Sequence, residues 1–416
     1  MRVCVIGLGY VGLPLAILAA KKGHSVTGYD VNKEKVDKVN KGISPIEDEY
    51  IEQNLKKDMI KSTTDPSVIK YANVVIICVP TPVDHNHVPD LSYVKSSSKT
   101  VSEYLQEKQL VIMESTVHPG TTKEIVKPIL DKVRKKYYLA HCPERIDPGN
   151  KKWTVENIPR VVGGINKKST KKVAEFYKSI LNAEVVEVKS STEAEATKIM
   201  ENTFRDVNIA FINEMAKSFD KAGIDIMEVI KGASTKPFGF MPHYPGAGVG
   251  GHCIAVDPYY LINNAKTYDF DHEFLILARK INNSMPDYAV ELLENEIEKL
   301  NEDKKGKVGV LGLSYKKNVD DDRESPSYQI INVLLKKGFE VLKYDPYLLN
   351  KSDVQSLEEL FAKVDYLVLV TAHNEFKEMD LDLLKKHEIK IVIDGRNCLD
   401  KNKIEGFGIK HKGIGK

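Results

Sequence analysis

The 416 residues carry 61 Lys+Arg against 59 Asp+Glu, a formal net charge of +2, with 42% hydrophobic and 29% charged residues. So balanced a chain lacks the basic excess of a nucleic-acid binder, and its composition is that of a folded globular protein of two to three domains. No apolar run approaches the ~20 residues of a membrane span, so neither nucleic acid nor membrane is expected as a partner. The five cysteines, Cys4, Cys78, Cys142, Cys253 and Cys398, are scattered and form no CxxC pair. That pattern fits reduced thiols in a cytoplasmic setting rather than a disulfide framework or a zinc ribbon.

The first third alternates short apolar runs with helical patterns. Arg2–Ile6 reads as a strand, Val11–Lys22 as a helix closed by Gly23, and Ser25–Tyr29 as a strand ending at Asp30. Val74–Val79, Leu110–Glu114 and Tyr138–Cys142 read as further buried strands, which predicts a doubly wound parallel sheet with crossover helices. From Thr192 to Ala222 the pattern is helical throughout: Met200, Phe204, Val207, Phe211 and Met215 recur at spacings of three and four. Thr192 and Glu195 suggest a capping box at its start. Asp225–Gly232 continues as helix, Lys236–Gly251 is a loop rich in Gly and Pro, and another helix runs from Pro286 to about Asn301. In the last third, strands are predicted at Lys307–Leu311, Val341–Tyr344, Tyr366–Val370 and Ile391–Ile393, and "KVGVLGLSY" echoes the N-terminal "RVCVIGLGY". The fold class is therefore α/β, with two Rossmann-like doubly wound domains joined by a helical central domain: residues 1–191, 192–302 and 303–416.

Gly7, Gly9, Tyr10, Val11 and Gly12 lie in a GxGxxG turn between a strand and a helix. In that setting the first glycine permits the tight turn, the second admits a pyrophosphate and the third lets helix and strand pack closely. Asp30, ending the next strand, is placed to accept hydrogen bonds from the adenosine ribose and would repel a 2′-phosphate, so the expected cofactor is NAD. Lys33 follows closely and tempers that preference. The loops Cys78–Pro82, with Thr81, and Glu114–Gly120, with Thr116, follow strand ends where ligands bind in such sheets. Ser, Thr and Pro are also ordinary turn residues.

Lys198 and Asn202, four apart on the long helix, share a face and could hold a substrate oxygen, although such pairs are also common on exposed helices. Cys253 follows Gly248, Gly250 and Gly251, whose backbone freedom suits approach to a ligand and presents the thiol on an adaptable loop. Asp257 could orient a lysine or a water, or cap the helix that starts at Pro258. A zinc reading would join His252 and Cys253 to His141 or Cys142, but adjacent residues rarely ligate one metal, and no metal is expected.

The stretches "GLGYVGLP", "CVPTP", "ESTVHPGTT", "CPERIDPG", "EATKIMENTFRDVNIAFINE", "GVGGHCIAVDP" and "GLSYKKNVDDDRESP" span nearly the whole chain. Together they resemble the nucleotide-sugar 6-dehydrogenases, the UDP-glucose/GDP-mannose dehydrogenase family. The resemblance implies Cys253 as nucleophile and Lys198 and Asn202 as the pair on the reacting oxygen. Asp257, Thr116 and Glu144 are implied as further catalytic groups. Glu144, Arg145, Gly250, Lys316, Arg323 and Arg396 are implied on the substrate side, the last three near the nucleotide, while the loop Phe238–Gly248, with His243 and Tyr244, is where contacts that tell one hexosamine from another are expected. It also implies a UDP-binding C-terminal domain and a central dimer interface, hence a homodimer or a multiple of one.

The "GGHCIAVDP" form points to a UDP-N-acetylhexosamine, UDP-N-acetylmannosamine first, with UDP-N-acetylglucosamine or UDP-glucose as alternatives. Where UDP-glucose enzymes of the family often carry a second glutamate, this chain has Pro148, so activation of water would fall to another group such as Glu144 or Asp257. The implied reaction is a four-electron oxidation at C6 through a Cys253 thiohemiacetal and thioester. The rivals are a single-step β-hydroxyacid dehydrogenase, which needs neither Cys253 nor the C-terminal domain, and a non-catalytic NAD-binding protein.

Overall fold

In the computed structural model, residues 1–46, 48–84, 88–146, 150, 152–251, 253–301 and 306–416 are described. The first sheet is built from β1 (Arg2–Ile6), β2 (Ser25–Tyr29), β3 (Lys61–Thr63), β4 (Val74–Ile77), β5 (Leu110–Met113), β6 (Tyr138–His141), β7 (Arg160–Gly164) and β8 (Val185–Glu187). Their order is β3-β2-β1-β4-β5-β6-β7-β8. β4 and β5 are buried at every position, as strands covered on both faces must be, and Val, Ile, Leu and Met meet that demand. The order reverses between β1 and β4, which opens the crevice where dinucleotides bind in this architecture. The sheet departs from the all-parallel expectation at one place: β6 and β7 are antiparallel. A parallel partner needs a crossover, and the connection from β6 to β7 holds no helix among its described residues.

The second sheet contains β9 (Lys307–Leu311), β10 (Glu340–Tyr344), β11 (Tyr366–Leu369), β12 (Ile391–Asp394) and β13 (Lys410–Gly413), in the order β10-β9-β11-β12-β13. All its pairings are parallel. Both sheets match the expected α/β class. β3, β7, β8 and β13 carry no readable strand signal, being short or marked by lysine and glycine.

The chain forms two compact units, one of residues 1–201 with 259–271, the other of 202–258 with 272–416. The segment expected as a helical middle is shared between them, and the long helix Ser191–Lys221 runs from the first into the second. Its start differs from the expected capping box. The Ser190 hydroxyl accepts from Thr192 N–H and donates to Glu193, so the Ser-x-x-Glu pair lies two residues earlier. Glu195 is free of that duty and used elsewhere. The periodic apolar residues that betray this helix lie outside, Met200, Phe204 and Phe211 being 66%, 47% and 54% exposed, while Asn202, Thr203, Asp206 and Asn213 are buried. No helix among the described residues is long and apolar enough to cross a membrane.

Candidate active site

The first unit builds a dinucleotide cradle. Gly7 has φ of +91°, and a Cβ there would stand 2.4 Å from the Cys78 carbonyl oxygen. A Cβ on Gly12 would meet the Gly7 oxygen at 2.0 Å, whereas beside Gly9 the space is open for 4 Å. The turn is thus closed on its protein side and open where a pyrophosphate would lie, at the start of the helix Gly12–Lys21. Asp30 holds the turn by accepting from Leu8 N–H at 2.8 Å and from Asn32 N–H at 2.9 Å, one on each oxygen. A carboxylate has about four acceptor sites, so capacity remains for ribose hydroxyls. These residues fit NAD.

Two loops border the cradle. The Tyr260 hydroxyl donates to the Thr81 carbonyl at 2.8 Å, and Ser115 Oγ donates to the Val79 carbonyl at 2.7 Å. Thr116 follows Ser115 and is partly exposed. Glu195, buried on the long helix, accepts from Gly120 N–H at 2.6 Å and Thr122 N–H at 2.7 Å. Burial pushes its carboxyl up to about 7 against those hydrogen bonds.

Glu144 lies after β6, and three of its roughly four acceptor sites are taken. Oε1 accepts from Arg145 N–H at 2.6 Å and Ile146 N–H at 2.7 Å, and Oε2 pairs with Arg160 at 2.9 Å. Arg160 is wholly buried and also lies 3.5 Å from Glu114, which accepts from the Tyr177 hydroxyl at 2.6 Å. Burial raises the Glu114 carboxyl and Arg160 opposes it. Glu144 is therefore one partner of a buried ion pair that shapes its loop. Arg145, expected on the substrate side, is engaged within the protein. Its guanidinium grips Glu201 through Nη2 at 2.7 Å and Nε at 3.2 Å, and donates to the Pro159 carbonyl at 2.8 Å. The second-acid position, Pro148, and the discarded ligand His252 lie outside the described residues.

The second unit carries the thiol. Cys253 is exposed, and its carbonyl accepts from Val256 and Asp257 N–H at 3.1 and 2.8 Å, forming the turn into the helix Asp257–Ala265. Asp257 is the first residue of that helix and accepts from Asn202 Nδ2 at 2.6 Å, so the group it orients here is an amide. That bond fixes the Asn202 amide with Oδ1 turned away from Asp257, leaving Nδ2 one further hydrogen to donate.

The glycine run also lets other protein segments come close. A Cβ on Gly251 would meet the Tyr315 ring at 2.6 Å, and one on Gly250 the Glu324 oxygen at 2.7 Å. Their missing side chains admit the segment carrying Lys316 and Arg323, and Gly251 N–H donates to the Arg323 carbonyl at 3.2 Å. Arg323 pairs with Asp321 and Arg396 donates to the Val370 carbonyl at 2.7 Å, while a Cβ on Gly246 would stand 2.4 Å from Arg396 Nη1. Gly246 N–H in turn donates to Asn213 at 3.0 Å, Asn213 to Asn282 at 2.9 Å, and Asn282 to Asp206 at 2.8 Å. Arg279 closes this buried chain on Asp206 at 2.6 Å. His243 lies against Phe204, with ring centroids 6.3 Å apart. Phe204 is two residues past Asn202, roughly 200° around the helix, so His243 sits away from the Asn202–Asp257 pair. Among the described residues no group of three or more His, Cys, Asp or Glu is arranged to hold a metal ion.

A dinucleotide-binding α/β unit, a second α/β unit and an exposed thiol beside an Asn–Asp pair define an NAD-dependent dehydrogenase. Residues 1–181, 192–284 and 309–401 match the NAD binding, central and UDP binding domains of the UDP-glucose/GDP-mannose dehydrogenase family, and the chain belongs to that family. It is 40% identical to UDP-N-acetyl-D-mannosamine dehydrogenase of Methanococcus vannielii, over 100% of this chain and 97% of the relative. It is 34% identical to UDP-N-acetyl-D-glucosamine 6-dehydrogenase of Pseudomonas aeruginosa, over 97% and 98%. The solved UDP-N-acetyl-D-mannosamine dehydrogenase of Pyrococcus horikoshii superposes with a TM-score of 0.93 at 38% identity, covering 100% of this chain and 99% of that one.

Proposed function

We propose that this chain oxidises the C6 alcohol of a UDP-N-acetylhexosamine, UDP-N-acetylmannosamine first, to the carboxylate in two successive two-electron steps. The observation that carries the reading is Cys253, the one exposed cysteine, four residues before an aspartate already bonded to Asn202. NAD, held by Gly7, Gly9, Gly12 and Asp30, supplies the hydride acceptor for each oxidation. The alcohol gives up a proton and a hydride to become an aldehyde. The Cys253 thiolate adds to the aldehyde carbon, and Lys198 and Asn202 stabilise the resulting oxyanion. Loss of a second hydride from that carbon leaves a thioester. Water cleaves the C–S bond, the thiolate departs and the acid loses its proton.

With Glu144 engaged by Arg160, activation of that water falls to Asp257. Residues 1–191 serve NAD, 192–302 the chemistry and 303–416 the UDP moiety, with Lys316, Arg323 and Arg396 on the nucleotide side. The cytoplasm is the setting that reduced thiols suit. The exposed stripe of Met200, Phe204 and Phe211 faces a second copy of the chain. The protein should sediment as a dimer or a multiple, and a monomer at micromolar concentration would remove that part.

The test is NAD reduction across a panel of UDP-sugars. UDP-N-acetylmannosamine should give two NADH per sugar, and Cys253→Ser should stall before the free acid while still binding NAD. One NADH per sugar, or undiminished acid formation by the variant, overturns the mechanism. Preference for UDP-N-acetylglucosamine, which the 34% relative's name favours, would move the substrate and leave the chemistry.

A further inference from the structure

Lys198 stands on the long helix between two glutamates, Glu195 three residues before it and Glu201 three residues after. At 3.6 residues per turn these lie about 60° to either side of it and about 4.5 Å above and below along the axis. They are the positions from which a helical carboxylate ordinarily pairs with a lysine. Neither does so here. Glu195 spends one oxygen on each of two backbone N–H groups, Gly120 at 2.6 Å and Thr122 at 2.7 Å. Glu201 takes the Arg145 guanidinium side-on at 2.7 and 3.2 Å. Among the described residues, the Lys198 ammonium has no hydrogen bond or ion pair.

The two partners are not arbitrary. Gly120 and Thr122 end the loop after β5 that carries Thr116. Arg145 belongs to the loop after β6, whose backbone is wrapped around Glu144. Each loop is thereby tied to the helix within one turn of Lys198, one on either side. Arg145 is itself braced on the Pro159 carbonyl at 2.8 Å, so the second tie runs back to the start of β7.

We propose that Glu195 and Glu201 are positioning residues. They fix Lys198 in register with the Thr116 and Glu144 loops, and by taking other partners they leave its ammonium available to the reacting oxygen. This rests on the reading of Lys198 as an oxyanion-stabilising group. Both carboxylates would act through Lys198 and the loops, not on the substrate, so their removal should alter turnover more than nucleotide binding. Glu195→Gln leaves one acceptor oxygen and turns an NH2 towards a backbone N–H. Glu201→Gln keeps a neutral amide opposite a guanidinium that requires a fork of two acceptors.

The experiment compares wild type, Glu195→Gln, Glu201→Gln and, as a control on the same helix, exposed Glu214→Gln. Steady-state kinetics are measured with NAD and the best UDP-sugar from the panel, beside thermal midpoints. Each of the two variants should lose about tenfold or more in kcat, the scale of a small misplacement of a reacting group, with KM for the UDP-sugar changed by less than about threefold. Glu214→Gln should match wild type. Wild-type kcat in both variants overturns the proposal, as does a loss confined to KM. If Glu195→Gln does not fold, the half-exposed Glu201→Gln decides alone. A wild-type enzyme that reduces NAD with none of the sugars instead overturns the functional reading.

Discussion

At the scale of single residues, burial sorts the five thiols. Cys4 lies inside the first sheet and burial pushes its thiol up to about 12. Cys398 is driven to about 12 by burial and by the neighbouring Asp394 charge. Cys78 and Cys142 are raised further, by burial first and then by Glu114. The thiolate is the nucleophile, so none of these four should react near neutral pH, whereas Cys253 is exposed. Brief treatment of the native protein with a maleimide at pH 7 should therefore give a single adduct by mass spectrometry, on Cys253, and Cys253→Ser should give none. Labelling of Cys398 at a comparable rate would contradict this ordering. The exposure of Cys253 is legible from its glycine-rich context. The Arg160 pair was not: nothing in "NIPRVVGG" says that its arginine will be buried between Glu114 and Glu144 from two other strand ends. Removing either partner of such a pair typically costs about 3–5 kcal/mol, which is why Glu144 substitutions report on folding before they report on chemistry.

At the scale of elements, what could be read was periodicity, and what could not was the use each face is put to. The spacing of Met200, Phe204, Phe211 and Met215 locates the long helix correctly, yet Met200, Phe204 and Phe211 face outward and the buried face carries Asn202, Asp206 and Asn213. A helix with polar groups inside must satisfy each of them. The chain from Gly246 through Asn213, Asn282 and Asp206 to Arg279 meets part of that need, with Thr203 Oγ1 and Asp206 Oδ2 left without a hydrogen-bond partner, and it also pins the loop that leads to Cys253. Sequence spacings of 69 and 73 residues hide these bonds from any local pattern. The same holds for the glycine run. Gly250 and Gly251 announce a close approach, but only the fold reveals that the approaching groups are Tyr315 and Glu324 rather than a ligand alone. Strand β7 carries no readable signal because two of its five residues are glycines, which weaken a strand pattern; a Cβ on Gly163 would stand 2.0 Å from the Ser190 carbonyl oxygen.

At the scale of the whole molecule, the two α/β units repeat one plan with different acids. Asp30 follows β2 and accepts one backbone N–H on each oxygen. Asp345 follows β10 in the equivalent place, but its Oδ2 accepts from Leu313 N–H at 2.6 Å, Ser314 N–H at 2.8 Å, Ser314 Oγ at 2.9 Å and His373 Nε2 at 3.1 Å. His373 Nδ1 accepts from Asn318 N–H at 2.8 Å, so the proton lies on Nε2 and points at Asp345. Burial alone would raise the Asp345 carboxyl, yet these donors outweigh it and hold it at about 2. The echo of "RVCVIGLGY" in "KVGVLGLSY" thus marks a shared turn, not a second dinucleotide site, because the second acid is spent on its own loop. Asp345 Oδ1 accepts from Tyr347 N–H at 2.8 Å, so Asp345→Asn cannot reproduce that set of contacts: whichever way the amide turns an NH2 meets a backbone N–H, at a cost of roughly 1–3 kcal/mol for each buried donor left unmet. Each unit has its own sheet and its own buried apolar cluster, so the loss should fall on the second unit. The chain's one tryptophan, Trp153, lies in the first and reports on it alone. In urea, Asp345→Asn should show an early transition by circular dichroism that Trp153 fluorescence does not follow, with NAD affinity unchanged and UDP affinity reduced. Coincident transitions shifted together, or an equal loss of NAD binding, would mean that the two units unfold as one and that Asp345 supports both.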